Sequence, residues 1–519
     1  MPFDEALALG SERWSELLSR ARKTTRRLKH IVDTLSGLSS AIQREFEAAT
    51  TSFNTVSKIH GLITLPNELL ARIFNYVVNW DEKLIIPTRT RAAVGLSHVC
   101  RYFRDTAISC TQLWTNVSSC GDDDITTLCL SRSKRVPLNV RLVTRVDEIS
   151  PHPDDFGLVC DPLAQELFSH SKRWGQLEIR TEVNRSFHDV VTKSLDIGKI
   201  FRELDVPLLR SLHILRNSAD RDEPNLLNSL LEGWRTPNLR YLTTNRYLPL
   251  RLAGAENLES FDVTLEVDSV NLTDTVKALS RMTSLEEFHL TFIPPQIFVP
   301  IVVTDERACL PNVRHLRIGL SGLEVIHTQS RNLLQALFAA LSFPGSTDLH
   351  LDLSGVIRDD HECVSIDKQV MWLFQHPNTL SRVERFCLEA SDFFDFNRGH
   401  FSVDIPFGKL PSLKELELYC NTRLIPCDYS PGDTISLALE RLIIRTTEIG
   451  MLAIAPFTTS VLRGLKEVGK WESFRELVII NTGQQACDFL GTRYATKSFV
   501  GDAALQWCIY GVPDIPTFN

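Results

Sequence analysis

The sequence predicts an α/β chain: a long N-terminal helix, a small module of two or three short helices, then an irregular α/β repeat solenoid with a curved parallel sheet. Three observations predict it. Apolar residues fall seven apart along much of the first 60 positions. Two apolar stripes with three- and four-residue spacing follow, between Leu65 and Ala107. From about residue 170 the pattern LxxLxL returns, with Ile, Val or Phe in place of some leucines. The expected organisation is a helix over 1–60, a helical module over 61–118, a connecting segment over 119–170 and the solenoid over 171–519.

The first element reads as one amphipathic helix from about residue 12 to 57. Trp14, Ala21, Leu28, Leu35, Ile42, Ala49 and Val56 form one row, and Leu17, Ile31 and Leu38 a second row three residues on. A repeat of this period favours a coiled coil or a long docked helix. Thr24, Glu45 and Ser52 interrupt the second row, and Gly37 costs about 1 kcal/mol against Ala. The cations Arg20, Arg22, Lys23, Arg26, Arg27 and Lys29 read as a solvated face. Pairing with another chain and folding back both remain open.

In the second element, Leu65, Leu69, Leu70, Ile73, Phe74 and Val77 make one helical stripe. Pro66 suits a first helical turn, where its missing N–H would be unpaired anyway. Val94, Leu96, Val99, Phe103 and Ala107 make a second stripe, and Trp114 closes the unit. A core from about fifty residues is marginal alone, so the module is expected to lean on a partner or on its chain neighbours.

The run Leu65-Pro66-x-Glu68-Leu69-Leu70-x-x-Ile73-Phe74, followed by Leu96-x-x-Val99-Cys100-Arg101-x-Phe103-Arg104 and Leu113-Trp114, resembles an F-box. The resemblance implies a trihelical module docking on the Skp-type adaptor of a cullin–RING ubiquitin ligase. Carried over, it assigns the adaptor contact to Leu65, Pro66, Glu68, Leu69, Ile73 and Val99. Cys100 and Trp114 join them or serve the internal core. The chain departs from the family at Phe103, where Trp is common, and in a longer loop over Asn79 to Arg91.

After Trp114 a short helix is expected over Asp123 to Ser133 and a strand over Pro137 to Val143. Pro151, Pro153 and Pro162 mark a linker or loop over Asp147 to Asp161. The repeats then begin at Trp174, Leu209, Leu239, Leu258, Leu285, Val313, Ser346, Val383, Leu413, Leu439 and Phe474. They resemble leucine-rich repeats of irregular length, each a short strand and a return helix. Thr273 to Met282, Asn332 to Leu341 and Gln369 to Phe374 have helix-like spacing. Pro207, Pro237, Pro311 and Pro411 stand just before strands, where a missing N–H is tolerated.

Alternate residues of a strand point to opposite faces. The residue between the last two apolar positions of each repeat is therefore expected on the concave face. In order these are Glu178, His213, Thr243, Asp262, His289, Arg317, His350, Cys387, Glu417, Ile443 and Val478. His213, Asp262, His289, Arg317, His350 and Glu417 are the candidates for holding a protein target.

The remaining chemistry is read by exclusion. A net charge of −8 argues against a nucleic-acid binder that works by neutralising phosphates. No run near 18 apolar residues occurs, so no membrane span is expected. The N-terminal residues lack the basic start and apolar run of a secretory signal. The 12 cysteines form no CxxC pair and read as reduced thiols of a cytoplasmic or nuclear protein. Histidines two or more strands apart cannot share one metal. Asp359-Asp360-His361-Glu362-Cys363 reads as a polar loop. No GxSxG, HExxH, Walker or GxGxxG motif appears. No catalytic residue, cofactor or metal is expected. The expected role is a non-catalytic target-recognition subunit; the rival readings are an adaptor-bound scaffold without a ubiquitination role and an enzyme built into the repeats.

Overall fold

In the computed structural model the chain divides into two units, residues 1–113 and 114–519. The structure describes residues 3–79, 86–120, 122–146, 158–160, 162–183, 204–216, 231, 233–245, 248, 250, 252–266, 271–293, 306–321, 328–354, 374, 380–391, 407–420, 438–446, 451–467, 469–481 and 505–508.

The first unit opens with α1 (Phe3–Ile63), longer at both ends than the predicted span. Gly37 lies inside it without ending it. Leu18, Leu28, Ile31, Val32, Leu35, Leu38, Ile42, Phe46 and Phe53 are each between 52% and 72% exposed. Three short helices follow: α2 (Asn67–Asn79), α3 (Ile86–His98) and α4 (Arg101–Ser109). Pro66 stands one residue before α2 rather than inside its first turn, and its carbonyl accepts from the N–H groups of Leu69 and Leu70 at 3.1 Å. α3 starts five residues before Arg91, so part of the expected loop is helical; residues 80–85 lie outside the described chain.

The apolar stripe of α2 splits between two surfaces. Leu70, Phe74 and Val78 are buried, and Phe74 meets Phe103 of α4 edge-on at 5.0 Å. Phe103 is itself 4% exposed and belongs to this core. Two polar bonds fix how α4 closes on the start of α2. The Tyr102 hydroxyl donates to the Leu65 carbonyl at 2.7 Å, and the Thr106 hydroxyl meets Asn67 Oδ1 at 3.3 Å.

The second unit is built on one sheet of 15 described strands. These include β1 (Asn116–Ser118), β2 (Leu138–Val146), β3 (Leu158–Cys160), β4 (Trp174–Val183), β5 (Ser211–Arg216), β6 (Tyr241–Asn245), β7 (Ser260–Glu266) and β8 (Glu287–Ile293). After β9 (Ala308–Cys309) come β10 (His315–Ser321), β11 (Leu341–Ser342) and β12 (Asp348–Ser354). The last are β13 (Arg385–Ser391), β14 (Glu415–Cys420), β15 (Arg441–Thr446), β16 (Glu476–Asn481) and β17 (Leu505–Cys508). Apart from the small β9–β11 pair and the antiparallel β3, the strands lie parallel and in chain order. This is the ordering expected of a solenoid-like α/β fold.

All eleven LxxLxL matches end in strands of this sheet. The sheet also extends further toward the N-terminus than expected. β1 pairs with β2, which falls on the expected strand over Pro137 to Val143 and itself pairs with β4. Leu158–Cys160, assigned to a loop, pairs antiparallel with β2. Pro162, one of the residues that signalled a loop, instead starts α6 (Pro162–Ser169), where a proline needs no N–H partner.

One face of the sheet is the core. Leu177, Leu212, Leu242, Phe261, Phe288, Leu316, Leu349, Phe386, Leu416, Leu442 and Leu477 are all buried. They fall opposite one another in the strand register. Aromatic rings thicken the middle, with Phe261 on Phe288 at 5.9 Å and Phe288 on Phe343 at 6.1 Å. α5 (Asp123–Arg132) is capped by Asp122 and α7 (Leu272–Ser280) by Asn271. α8 (Thr328–Ala340) and α9 (Met451–Glu467) are the longer return helices. α7 and α8 fall on two predicted return segments; of the third, only Phe374 is described, and it is buried. Short 3-10 turns stand just before β4, β7, β14 and β16.

Candidate functional site

The first candidate surface lies on the helical module. On α2 the exposed row is Leu69, Ile73 and Val77, four residues apart, at 46%, 36% and 47% exposure. Tyr76 beside them is 60% exposed. Pro66 and Glu68 are also exposed, and Leu65 is half-buried. Val99, between α3 and α4, is 49% exposed. Cys100 is half-buried, and its Sγ accepts from the Phe103 N–H at 3.4 Å, so it caps α4. Trp114 has no exposed surface and carries the Arg132 guanidinium 4.4 Å above its ring, within the second unit. Seven of the eight candidate adaptor residues are therefore solvent-facing or half-buried around α2 and the end of α3. Cys100 has a capping role and Trp114 a core role. Tyr76 and Val77 were missing from the candidates, although Val77 already stood in the predicted stripe.

The second candidate surface is the face of the sheet opposite the core. There the predicted mid-strand residues stand side by side. Glu178, His213, Thr243, Asp262, His289, Arg317, His350, Cys387, Glu417, Ile443 and Val478 are register partners in sequence. Both ends of the row are closed. Arg141 and Glu178 are nearly buried and paired at 2.8 Å, while Ile443 and Val478 are buried.

The open middle forms a cleft of about 760 Å³. Five of the six target-binding candidates line it: Asp262, His289, Arg317, His350 and Glu417. His213 does not. It is held by Ser211 Oγ at 2.8 Å and Gln176 Nε2 at 3.2 Å, and burial lowers its pKa against the pull of Glu178 and Asp262.

Charge in the cleft is arranged as pairs between strands. His289 Nδ1 is 3.2 Å from Asp262, Arg317 is 3.2 Å from Asp352, and Arg445 Nε donates to Glu417 at 2.6 Å. His350 Nε2 is 3.4 Å from Glu389 at ion-pair distance. Burial, and then Arg317, lower the His350 pKa despite Glu389 and Asp352, so this ring is neutral at neutral pH. The Cys387 thiol is pushed up to about 12, chiefly by burial and then by Glu417 and Glu389. It is protonated at neutral pH and is a poor nucleophile.

One edge of the cleft continues as an alternating ion-pair ladder. His315 pairs with Asp348 at 2.9 Å, and Arg385 bridges Asp348 at 3.5 Å and Glu415 at 3.7 Å. Arg441 then bridges Glu415 at 3.6 Å and Glu476 at 2.6 Å. Sequence reading found only the middle row of this face. The flanking rows were readable by the same rule, because residues two positions before and after a strand's midpoint share its face.

Among the described residues, no group of three or more His, Cys, Asp or Glu side chains is arranged to hold a metal ion. No described helix is long and apolar enough to cross a membrane. Asp359 to Cys363 lie outside the described residues. No protein-family model matches the chain, and no curated protein matches it.

Proposed function

We propose that this chain is the target-recognition subunit of a Skp–cullin–F-box ubiquitin ligase, with an F-box at residues 61–118 and a leucine-rich-repeat-like array behind it. It acts in the cytoplasm or nucleus and performs no covalent step. The observation that carries the reading is the exposed row Leu69, Ile73 and Val77 on α2, beside the buried row Leu70, Phe74 and Val78. A small module that needs every apolar contact for its own core has no internal use for a second apolar row. Such a row fits a partner interface, and two of its residues, Leu69 and Ile73, fall on the F-box-like pattern in the sequence.

The array supplies the other half of the reading. Its cleft offers both signs of charge, already held in place, to a protein segment of mixed charge. Complementary charges mainly set specificity and association rate. Holding a target beside a charged E2 enzyme makes ubiquitin transfer effectively intramolecular.

The test is co-purification of the full chain with a Skp-type adaptor and cullin. Leu69→Glu with Ile73→Glu should abolish adaptor capture and leave the melting of the array unchanged. Retained capture would overturn the reading. Capture of adaptor without cullin would favour the scaffold role instead. Partners that accumulate only under proteasome inhibition, and are lost with Arg317→Ala and Glu417→Ala, would identify the target.

A further inference from the structure

α1 carries more apolar surface than the seven-residue repeat alone predicts. Beside the row containing Leu28, Leu35 and Ile42 runs another made of Leu18, Val32, Phe46 and Phe53. All of these side chains are more than half exposed. The apolar area on this face is on the order of 1,000 Å², above the roughly 800 Å² that each partner buries in a standard interface. A lone helix in water gains little stability without burying such a face.

The period says what kind of surface covers it. Spacing of 3.5 residues keeps one stripe facing another helix over many turns, which the curved surface of a globular domain does not require. We propose that α1 pairs with α1 of a second copy of this chain, in antiparallel orientation.

Orientation follows from Glu45, a charged residue on the seam that is exposed in the single chain. A parallel, in-register pair would set Glu45 against its own copy. It would also lay the cations between Arg20 and Lys29 alongside the same cations of the second chain. An antiparallel pair that aligns the two apolar rows brings Glu45 level with Ala21 and the Arg20 end of that cluster. Glu45 then lies beside a cation of the other helix instead of its own copy. Thr24 of one copy comes level with Ile42 of the other, so polar seam positions do not stack on themselves.

The inference is independent of the proposed ligase role, since it uses neither α2 nor the cleft. Sedimentation equilibrium of the full chain should give twice the 58.8 kDa chain mass. Leu28→Asp with Leu35→Asp should return the mass to one chain without changing the array's melting. Glu45→Gln discriminates orientation: it should weaken the dimer about threefold to fivefold by removing the interchain charge pair. Tighter association of Glu45→Gln would overturn the antiparallel arrangement. A single-chain mass at every concentration would overturn the pairing itself, as a fold-back or a different partner would give.

Discussion

Phe288 and His213 occupy opposite faces of neighbouring parts of the sheet and answer to different forces. Phe288 is buried between Phe261 and Phe343. Its replacement by Ala removes a ring that the surroundings cannot refill, at a cost of about 3–5 kcal/mol, read as a lower denaturant midpoint. Gly254 has φ +93°, and a Cβ there would sit 2.6 Å from the Thr236 carbonyl oxygen. Gly254→Ala should therefore cost about 1–3 kcal/mol or more by the same measurement.

His213 and His350 have pKa values lowered mainly by burial. The unfolded chain takes up protons as pH falls through about 6.5, while these folded rings stay neutral. The unfolded state then binds more protons, so the stability these rings contribute is held above that pH and lost as pH falls toward their folded values. A scan of Tm against pH should show the decline, and His213→Gln should flatten it.

Among elements, the strands were the most legible part of the chain. LxxLxL places two apolar residues on one face of an extended segment and a third just before the strand starts. The pattern also placed His213, His289 and His350 in one row, because a parallel register without slips preserves it. β3 was not legible: three residues between prolines carry too little pattern to outweigh turn signals. α2 was legible as a helix, but its spacing alone could not separate Leu70 from Leu69. That division depends on where α4 lies.

The ion-pair ladder belongs to this scale as well. Arg441 holds both Glu415 and Glu476 and is 42% exposed, so solvent screens it. Arg441→Ala should cost no more than about 1 kcal/mol, and that cost should shrink at high salt.

Across the whole molecule, each strand of the array touches only its neighbours, and stability is nearly a sum of local terms. Damage should stay local. Phe386→Ala, in β13, should raise amide exchange in β12 to β14 and leave β4 and β5 protected, as hydrogen-exchange mass spectrometry can read. A spread of the effect to β4 would contradict this. Within 119–170, β2 pairs with β4 of the repeat strands. Nothing in the local pattern distinguishes a strand that caps an array from one that stands outside it.

The chain-order arrangement of the strands also bears on biosynthesis. Every strand from β4 to β8 finds its docking edge on a segment translated earlier. The sheet can therefore grow outward from the ribosome in step with translation, without waiting for the far end of the polypeptide to be made.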